Sequence, residues 1–182
     1  MDSTLAFAED RSVTALTLPS RRVAVGSALL ALACVLGLVE SALPPLVAVP
    51  WLRVGLANIA VLVALLLIGT RTAAVVSLGR VGLLGLFTGS LASPAFGISV
   101  AGAGCALAAM WLVARHVPGA SAVGISAAGS AAHVIGQFVA AAVVLGAPGL
   151  LVLAPPSALA ALLLGAATGL VAGLTVSRLR DR

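Results

Sequence analysis

Residues 79–100 read GRVGLLGLFTGSLASPAFGISV, an apolar stretch with one charged residue near its start. That residue is Arg80, and the wider run from Thr72 to Leu112 otherwise contains only apolar, small and hydroxyl side chains. The run is long enough for two membrane-spanning helices of about 20 residues each. Pro94 marks the boundary between them, because proline lacks the N–H that a helix interior needs. The stretch therefore predicts two consecutive membrane helices, the first of which carries an arginine.

The composition extends this interpretation to the whole chain. Of its 182 residues, 62% are hydrophobic and only 8% are charged, whereas charged residues make up about a quarter of an ordinary soluble domain. We therefore predict an integral membrane protein with room for roughly six spans. The formal net charge of +5 comes from arginines at the ends of apolar segments rather than from one patch. That distribution argues against nucleic acid as a partner.

Prolines near the ends of the apolar runs divide the chain into segments. They predict an all-α fold, a single bundle of about six transmembrane helices, over residues 23–42, 54–69, 72–90, 94–114, 121–146 and 153–176. Three parts are predicted: an N-terminal cytoplasmic tail (1–22), the transmembrane domain (23–177) and a basic cytoplasmic C-terminus (178–182).

The arginines predict the orientation in the membrane. If both termini are cytoplasmic, almost all arginines outside the spans lie on the inner side and the outer loops hold only Arg53, which is the positive-inside pattern. The abundance of alanine, glycine, valine and arginine, with no lysine, favours a GC-rich bacterial genome. We therefore expect a multi-pass protein of the bacterial inner (cytoplasmic) membrane.

Polar residues in or beside the spans carry the prediction of a binding site. Placing charge at the centre of a membrane helix costs at least about 2.5–3.5 kcal/mol, so such residues usually face a partner or a hydrated cavity. We predict that six residues line a polar cavity from the outer face to about mid-depth: Arg80, His133, Gln137, Asn58, Glu40 and Arg53.

Each of these residues also has a purely structural interpretation. Arg53 could cap the interface or pair with Glu40 at the rim, and Asn58 and Gln137 could join helices by hydrogen bonds. His133 could be a satisfied core histidine, and Arg80 could form a structural salt bridge or bind backbone carbonyl groups. A pair between Arg80 and Glu40 would have to bridge roughly 10 Å of depth, from about 1.5 Å per residue, which weakens that structural alternative.

Three strings in the chain resemble a known family: RVGLANI (53–59), GRVGLLGLFTGSLASPAFGISVAGAG (79–104) and AAGSAAHVIGQ (127–137). They look like the Gx transporter family, whose members also carry the label heptaprenyl diphosphate synthase component I. Such proteins are similar to the S components of energy-coupling-factor transporters, which are six-helix, substrate-binding membrane subunits. The resemblance implies an S-component-like fold. Its motifs fall on residues 93–96 and on five of the six candidate residues: Arg53, Asn58, Arg80, His133 and Gln137.

The function expected from this resemblance is uptake of a small solute by a substrate-binding or transport subunit, without a cofactor or a bound metal. The candidate site favours an anionic solute, and an ATP-hydrolysing partner would supply energy, because the chain has no phosphate-binding GxxxxGK[ST] motif. One alternative is a non-catalytic accessory subunit of a prenyl diphosphate synthase. Another is a structural subunit of a larger membrane complex. We expect no enzymatic activity, because the aspartates lie only in the tails, at 2, 10 and 181.

Overall fold

The computed structural model describes residues 19–42 and 55–181, and these residues contain six α-helices, one short 3-10 helix and no strand. The predicted all-α bundle of six helices is thereby confirmed. The 3-10 helix, Pro148–Leu153, leads directly into the last α-helix. In chain order the helices are α1 (Pro19–Ala42), α2 (Leu56–Leu67), α3 (Thr70–Phe87), α4 (Pro94–His116), α5 (Ala122–Val144) and α6 (Ala154–Arg180).

The outer limits of the bundle differ from the predicted ones. α1 begins at Pro19, about one turn before the predicted start, so the last residues assigned to the N-terminal tail are helical. α6 continues to Arg180, about one turn beyond its predicted end. Both extensions add arginine-bearing turns, which hydropathy alone does not assign to a span. Residues 1–18 of the predicted tail lie outside the described residues.

Five of these helices are long and apolar enough to cross a membrane, whereas α2 is not. With 12 residues it is only about 18 Å long, against a hydrocarbon core of about 30 Å. The prediction of a second span over 54–69 is therefore corrected to a short helix. It ends at Leu67, and two residues later Gly69 has a φ of 122°, a conformation that favours glycine. The predicted break between the second and third helices at 69–71 lies at this glycine.

The short helix α2 is the centre of the bundle. Eight of its residues, Ala57, Asn58 and the run 60–65, are buried. Helices α1, α3 and α6 pack around it, and its side chains form the main apolar cluster together with residues such as Ala33, Val76 and Ala172. A helix that is apolar on all sides is expected in this position, because it has no face for water.

Helices α1 and α3 lie side by side and parallel. A Cβ on Gly26 would lie 3.1 Å from the Thr72 methyl group, and a Cβ on Gly37 would lie 2.8 Å from Leu84 Cδ1. From Gly26 to Gly37 along α1, the contacted residue on α3 changes from Thr72 to Leu84, so both helices run in the same direction. The chain between them, which includes α2, therefore returns across the bundle.

Helices α5 and α6 approach each other through glycines. A Cβ on Gly169 would lie 2.7 Å from the Cα of Val123, and one on Gly165 would lie 2.9 Å from the Cα of Ala127. Contacts this short with backbone atoms leave room only for hydrogen at the α6 positions. Gly165, Gly169 and Gly173 are four residues apart, and small residues at such spacing allow membrane helices to pack closely. One buried hydrogen bond, 3.2 Å between Ser126 Oγ and Thr168 Oγ1, joins the same pair of helices.

Candidate functional site

A cavity of about 680 Å³ lies between the helices, at the end of the bundle where α1, α3 and α5 terminate. The described chain begins and ends at the opposite end. Helices α1, α3, α4 and α5 supply most of the walls, and the N-terminal end of α2 supplies part of the floor. The volume falls in the range of about 300–1,000 Å³ that is typical of small-molecule sites.

Arg80 contributes the permanent positive charge among the described residues of the lining. It lies on α3 and is 9% exposed. Its aliphatic stem packs against α1, where a Cβ on Gly37 would lie 3.9 Å from Arg80 Cδ. The absence of a side chain at position 37 gives the arginine stem room between the two helices. The guanidinium therefore belongs to the cavity wall and not to the lipid-facing surface.

One face of α5 supplies a stripe of lining residues that includes His133 and Gln137. These two are one turn apart and both contact Gly102 of α4: a Cβ there would lie 2.6 Å from Gln137 Cγ and 3.2 Å from His133 Cε1. Glycine at position 102 thus lets the two polar side chains fit between α4 and α5. Their positions are set by helix packing rather than by a loop.

The N-terminal end of α2 reaches the cavity through Gly55 and Asn58. Gly55 has a φ of 75°, and its carbonyl accepts a hydrogen bond of 2.9 Å from the N–H of Asn58. Glu40, at the end of α1, accepts a hydrogen bond through Oε1 from the N–H of Gly55. A carboxylate is favourable at this position because the N-terminal end of a helix carries a partial positive charge. Glu40 therefore ties α1 to α2 in addition to lining the cavity.

The hydroxyl groups of the cavity fall into two sets. Five of them bond to nearby groups of their own segment: Ser41 to Leu38 O, Thr88 to Leu84 O, Ser90 to Thr88, Ser93 to Ser90 O and Ser99 to Ala95 O. The sixth, Ser130, is only 6% exposed, and its Oγ has no hydrogen-bond partner in the described part of the chain. This oxygen lies at the floor, 3.9 Å from the point where a Cβ on Gly55 would be.

The structure places every predicted site residue that it describes on one cavity, namely Arg80, His133, Gln137, Asn58 and Glu40. Arg53 lies outside the described residues. The helical bundle thus brings together side chains from four helices, as the sequence predicts. Ser130 was not among the predicted residues, although it lies three residues before His133 on the same face of α5. That spacing is the signal that could have identified it.

These features define a multi-pass membrane protein that encloses a partly polar cavity in a bundle of six helices, five of which are candidate spans. A family model described as heptaprenyl diphosphate synthase component I matches residues 29–176. The chain belongs to this family. No curated protein and no solved structure matches the chain.

Proposed function

We propose that this protein is the solute-binding subunit of a membrane transporter and takes up a small molecule through its cavity. The observation that supports this proposal best is the gathering of Arg80, His133, Gln137, Asn58 and Glu40 around one cavity of about 680 Å³. Polar side chains at membrane depth are costly, and they commonly mark a solute pathway. The proposed working arrangement resembles an S component of an energy-coupling-factor transporter.

The proposed cycle has two steps. With both termini in the cytoplasm, the cavity extends toward the outside, where it captures solute. Movement of the bundle, driven by an ATP-hydrolysing partner, then exposes the cavity to the inside. The chain itself would bind and orient the solute without chemical change, so it needs neither a cofactor nor a metal ion.

Native mass spectrometry of the protein in lipid nanodiscs tests this function. We expect a retained small molecule on the wild-type protein, and loss of that molecule from the Arg80→Ala variant. Uptake of the identified molecule into cells expressing the protein is the second measurement. Protein that retains no solute from any growth medium and gives no uptake would contradict the proposal.

The family description supports a second candidate function, that of an accessory subunit in prenyl diphosphate synthesis. Such synthases hold Mg²⁺ and diphosphate through several oxygen ligands, usually clustered carboxylates. The aspartates of this chain are at 2, 10 and 181, far apart from one another in the sequence. We therefore propose that the chain has no synthase activity by itself.

An assay of the purified protein with isopentenyl and allylic diphosphates and Mg²⁺ separates these two functions. We expect no prenyl product from the chain alone, and no effect on a synthase subunit added to it. Turnover by the chain alone would establish an enzyme. Stimulation of the added subunit would favour the accessory function over solute uptake.

A further inference from the structure

The floor of the cavity carries an excess of hydrogen-bond donors. Arg80, Asn58 and Gln137 all bear side-chain N–H groups. At the N-terminal end of α2, by contrast, the backbone N–H groups of Gly55 and Asn58 already have partners. The one carboxylate among the described lining residues, Glu40, already accepts from Gly55. A surface of this kind fits a ligand group that is rich in acceptors.

Ser130 shows where such a group would lie. A serine inside a helix commonly donates to the carbonyl four residues earlier, and the other cavity hydroxyls are all bonded. Ser130 Oγ is buried and has no hydrogen-bond partner within the described residues. Ser130 Oγ lies 3.9 Å, and Asn58 Nδ2 lies 3.4 Å, from the point where a Cβ on Gly55 would be. On its other side, Ser130 Oγ lies 2.6 Å from the corresponding point on Gly165 of α6. This hydroxyl and the end of α2 therefore face the same small volume.

The geometry points to a carboxylate as the ligand group bound at this floor, held by Ser130 Oγ beside the N-terminal end of α2, with Arg80 providing positive charge in the same cavity. This inference rests on the proposed function, because it names the class of solute: a small organic acid with one negative charge. The Glu40 carboxylate already occupies the N-terminal end of α2, so the ligand carboxylate is bound by the Ser130 hydroxyl and attracted by the charge of Arg80.

The charge of the lining argues for a monoanion rather than a diphosphate. Among the described lining residues, Arg80 supplies one positive charge and Glu40 one negative charge. Because Glu40 lies against the partial positive charge at the end of α2, the charge of Arg80 is matched by a single carboxylate on the ligand. A diphosphate would add at least two negative charges and would need further cations.

The walls above the floor indicate the remainder of the ligand. Leu84, Phe96 and Leu145 line the cavity toward its mouth. Apolar side chains bind apolar groups by excluding water from both surfaces. The solute is therefore an acid with an apolar body.

Three probes of similar size test the class of ligand: benzoate, benzamide and benzylamine. Inorganic pyrophosphate is the fourth probe. Binding to the wild-type protein in nanodiscs is measured by calorimetry and by the shift in melting temperature. We expect benzoate to bind at least tenfold more tightly than the other three. Equal binding of benzamide or benzylamine, tighter binding of pyrophosphate, or no binding of benzoate would overturn the inference.

Ser130→Ala and Ser126→Ala form a matched pair of variants. Both serines lie on α5 against glycines of α6, but only Ser130 lines the cavity, whereas Ser126 is bonded to Thr168. We expect Ser130→Ala to weaken benzoate binding about tenfold or more, as for a hydrogen bond to a charged group, with no loss of melting temperature. Ser126→Ala should lower the melting temperature and leave the affinity for benzoate unchanged. Equal benzoate affinities in the two variants would refute the role of Ser130.

The carboxylate inference and the transport proposal can fail independently of each other. If native mass spectrometry identifies a retained solute without an acidic group, the transport proposal stands and the carboxylate inference fails. If benzoate binds as expected but cells show no uptake of any solute, the cavity binds acids and the transport proposal fails.

Discussion

Arg80 is the residue whose substitution separates a binding role from a structural one. It is buried on α3 and lines the cavity. We expect Arg80→Ala to lower the affinity for benzoate by roughly two orders of magnitude, since truncating one partner of a buried charge pair costs about 2–5 kcal/mol. Arg80→Lys should restore only part of it, because an ammonium lacks the planar, two-pronged donor geometry of guanidinium. Ligand affinity and melting temperature are measured on the same samples.

His133→Ala and Gln137→Ala serve as companions to these variants. They should give smaller losses of affinity, because their side chains share the cavity with Arg80 but lack its permanent charge. A purely structural arginine predicts the opposite order of effects. If Arg80→Ala protein melts far earlier than wild type but binds benzoate with unchanged affinity, Arg80 braces the helices and the site is elsewhere.

At the residue scale, the sequence predicts those site residues whose chemistry conflicts with a membrane interior. Four residues are identifiable because burying their polar side chains among apolar neighbours costs free energy: Arg80, His133, Gln137 and Asn58. Ser130 is not identifiable in this way, since a serine in a membrane helix usually bonds to the backbone of its own helix and so carries little free-energy cost. The hydrogen bond from Gly55 to Glu40 was also not predictable, because it depends on where α2 begins.

At the scale of helices, the close contact between α5 and α6 makes a clear prediction about stability. Gly169→Ala would place a methyl group 2.7 Å from the Cα of Val123 and 2.8 Å from the backbone oxygen of Ala122. Because these are backbone atoms, the helices have to move apart. We expect a destabilisation of about 1–3 kcal/mol, as for other overpacked interiors, measured by the melting temperature in detergent.

Gly104→Ala is the matched control for this variant. Gly104 is also inside a helix, but a Cβ there would have nothing within 4 Å. Alanine is the better helix former by about 1 kcal/mol, so this variant should be as stable as wild type or more so. If both variants lose stability equally, the α5–α6 contact is not the cause.

The helices differ in how far the sequence determines them. Long apolar runs with proline near their ends predict α1, α3, α4, α5 and α6, although the limits of α1 and α6 lie about one turn further out than predicted. The predicted range for α2, 54–69, is longer than the observed helix Leu56–Leu67, because apolar residues continue on both sides of it in the sequence. The start of α2 depends on tertiary contacts at Gly55, including the one with Glu40.

At the scale of the whole molecule, the distribution of arginines predicts the orientation. Except for Arg80, the arginines in the described residues lie at the end of the bundle opposite the cavity: Arg21, Arg22, Arg71, Arg115, Arg178 and Arg180. Positive charge is retained on the cytoplasmic side of a membrane. We therefore expect both termini inside and the cavity facing outward.

Labelling of intact cells tests this orientation. Cys34 and Cys105 are first replaced by alanine, and a single cysteine is then placed at Gly149, between α5 and α6, or at Val117, between α4 and α5. A membrane-impermeant maleimide should label the thiol at 149 and not the thiol at 117. Labelling at 117 in intact cells, with none at 149, would reverse the orientation and direct the cavity inward.

The central position of α2 determines when this protein can finish folding during its synthesis. α2 needs α6 as a neighbour, and the carbonyl of Leu66 accepts a hydrogen bond of 3.2 Å from Arg180 Nη2. At roughly 5–20 residues per second, the ribosome delivers α6 on the order of ten seconds after α2. For that interval α2 lacks one of the helices that cover it, and the last turn of α6 completes the contact.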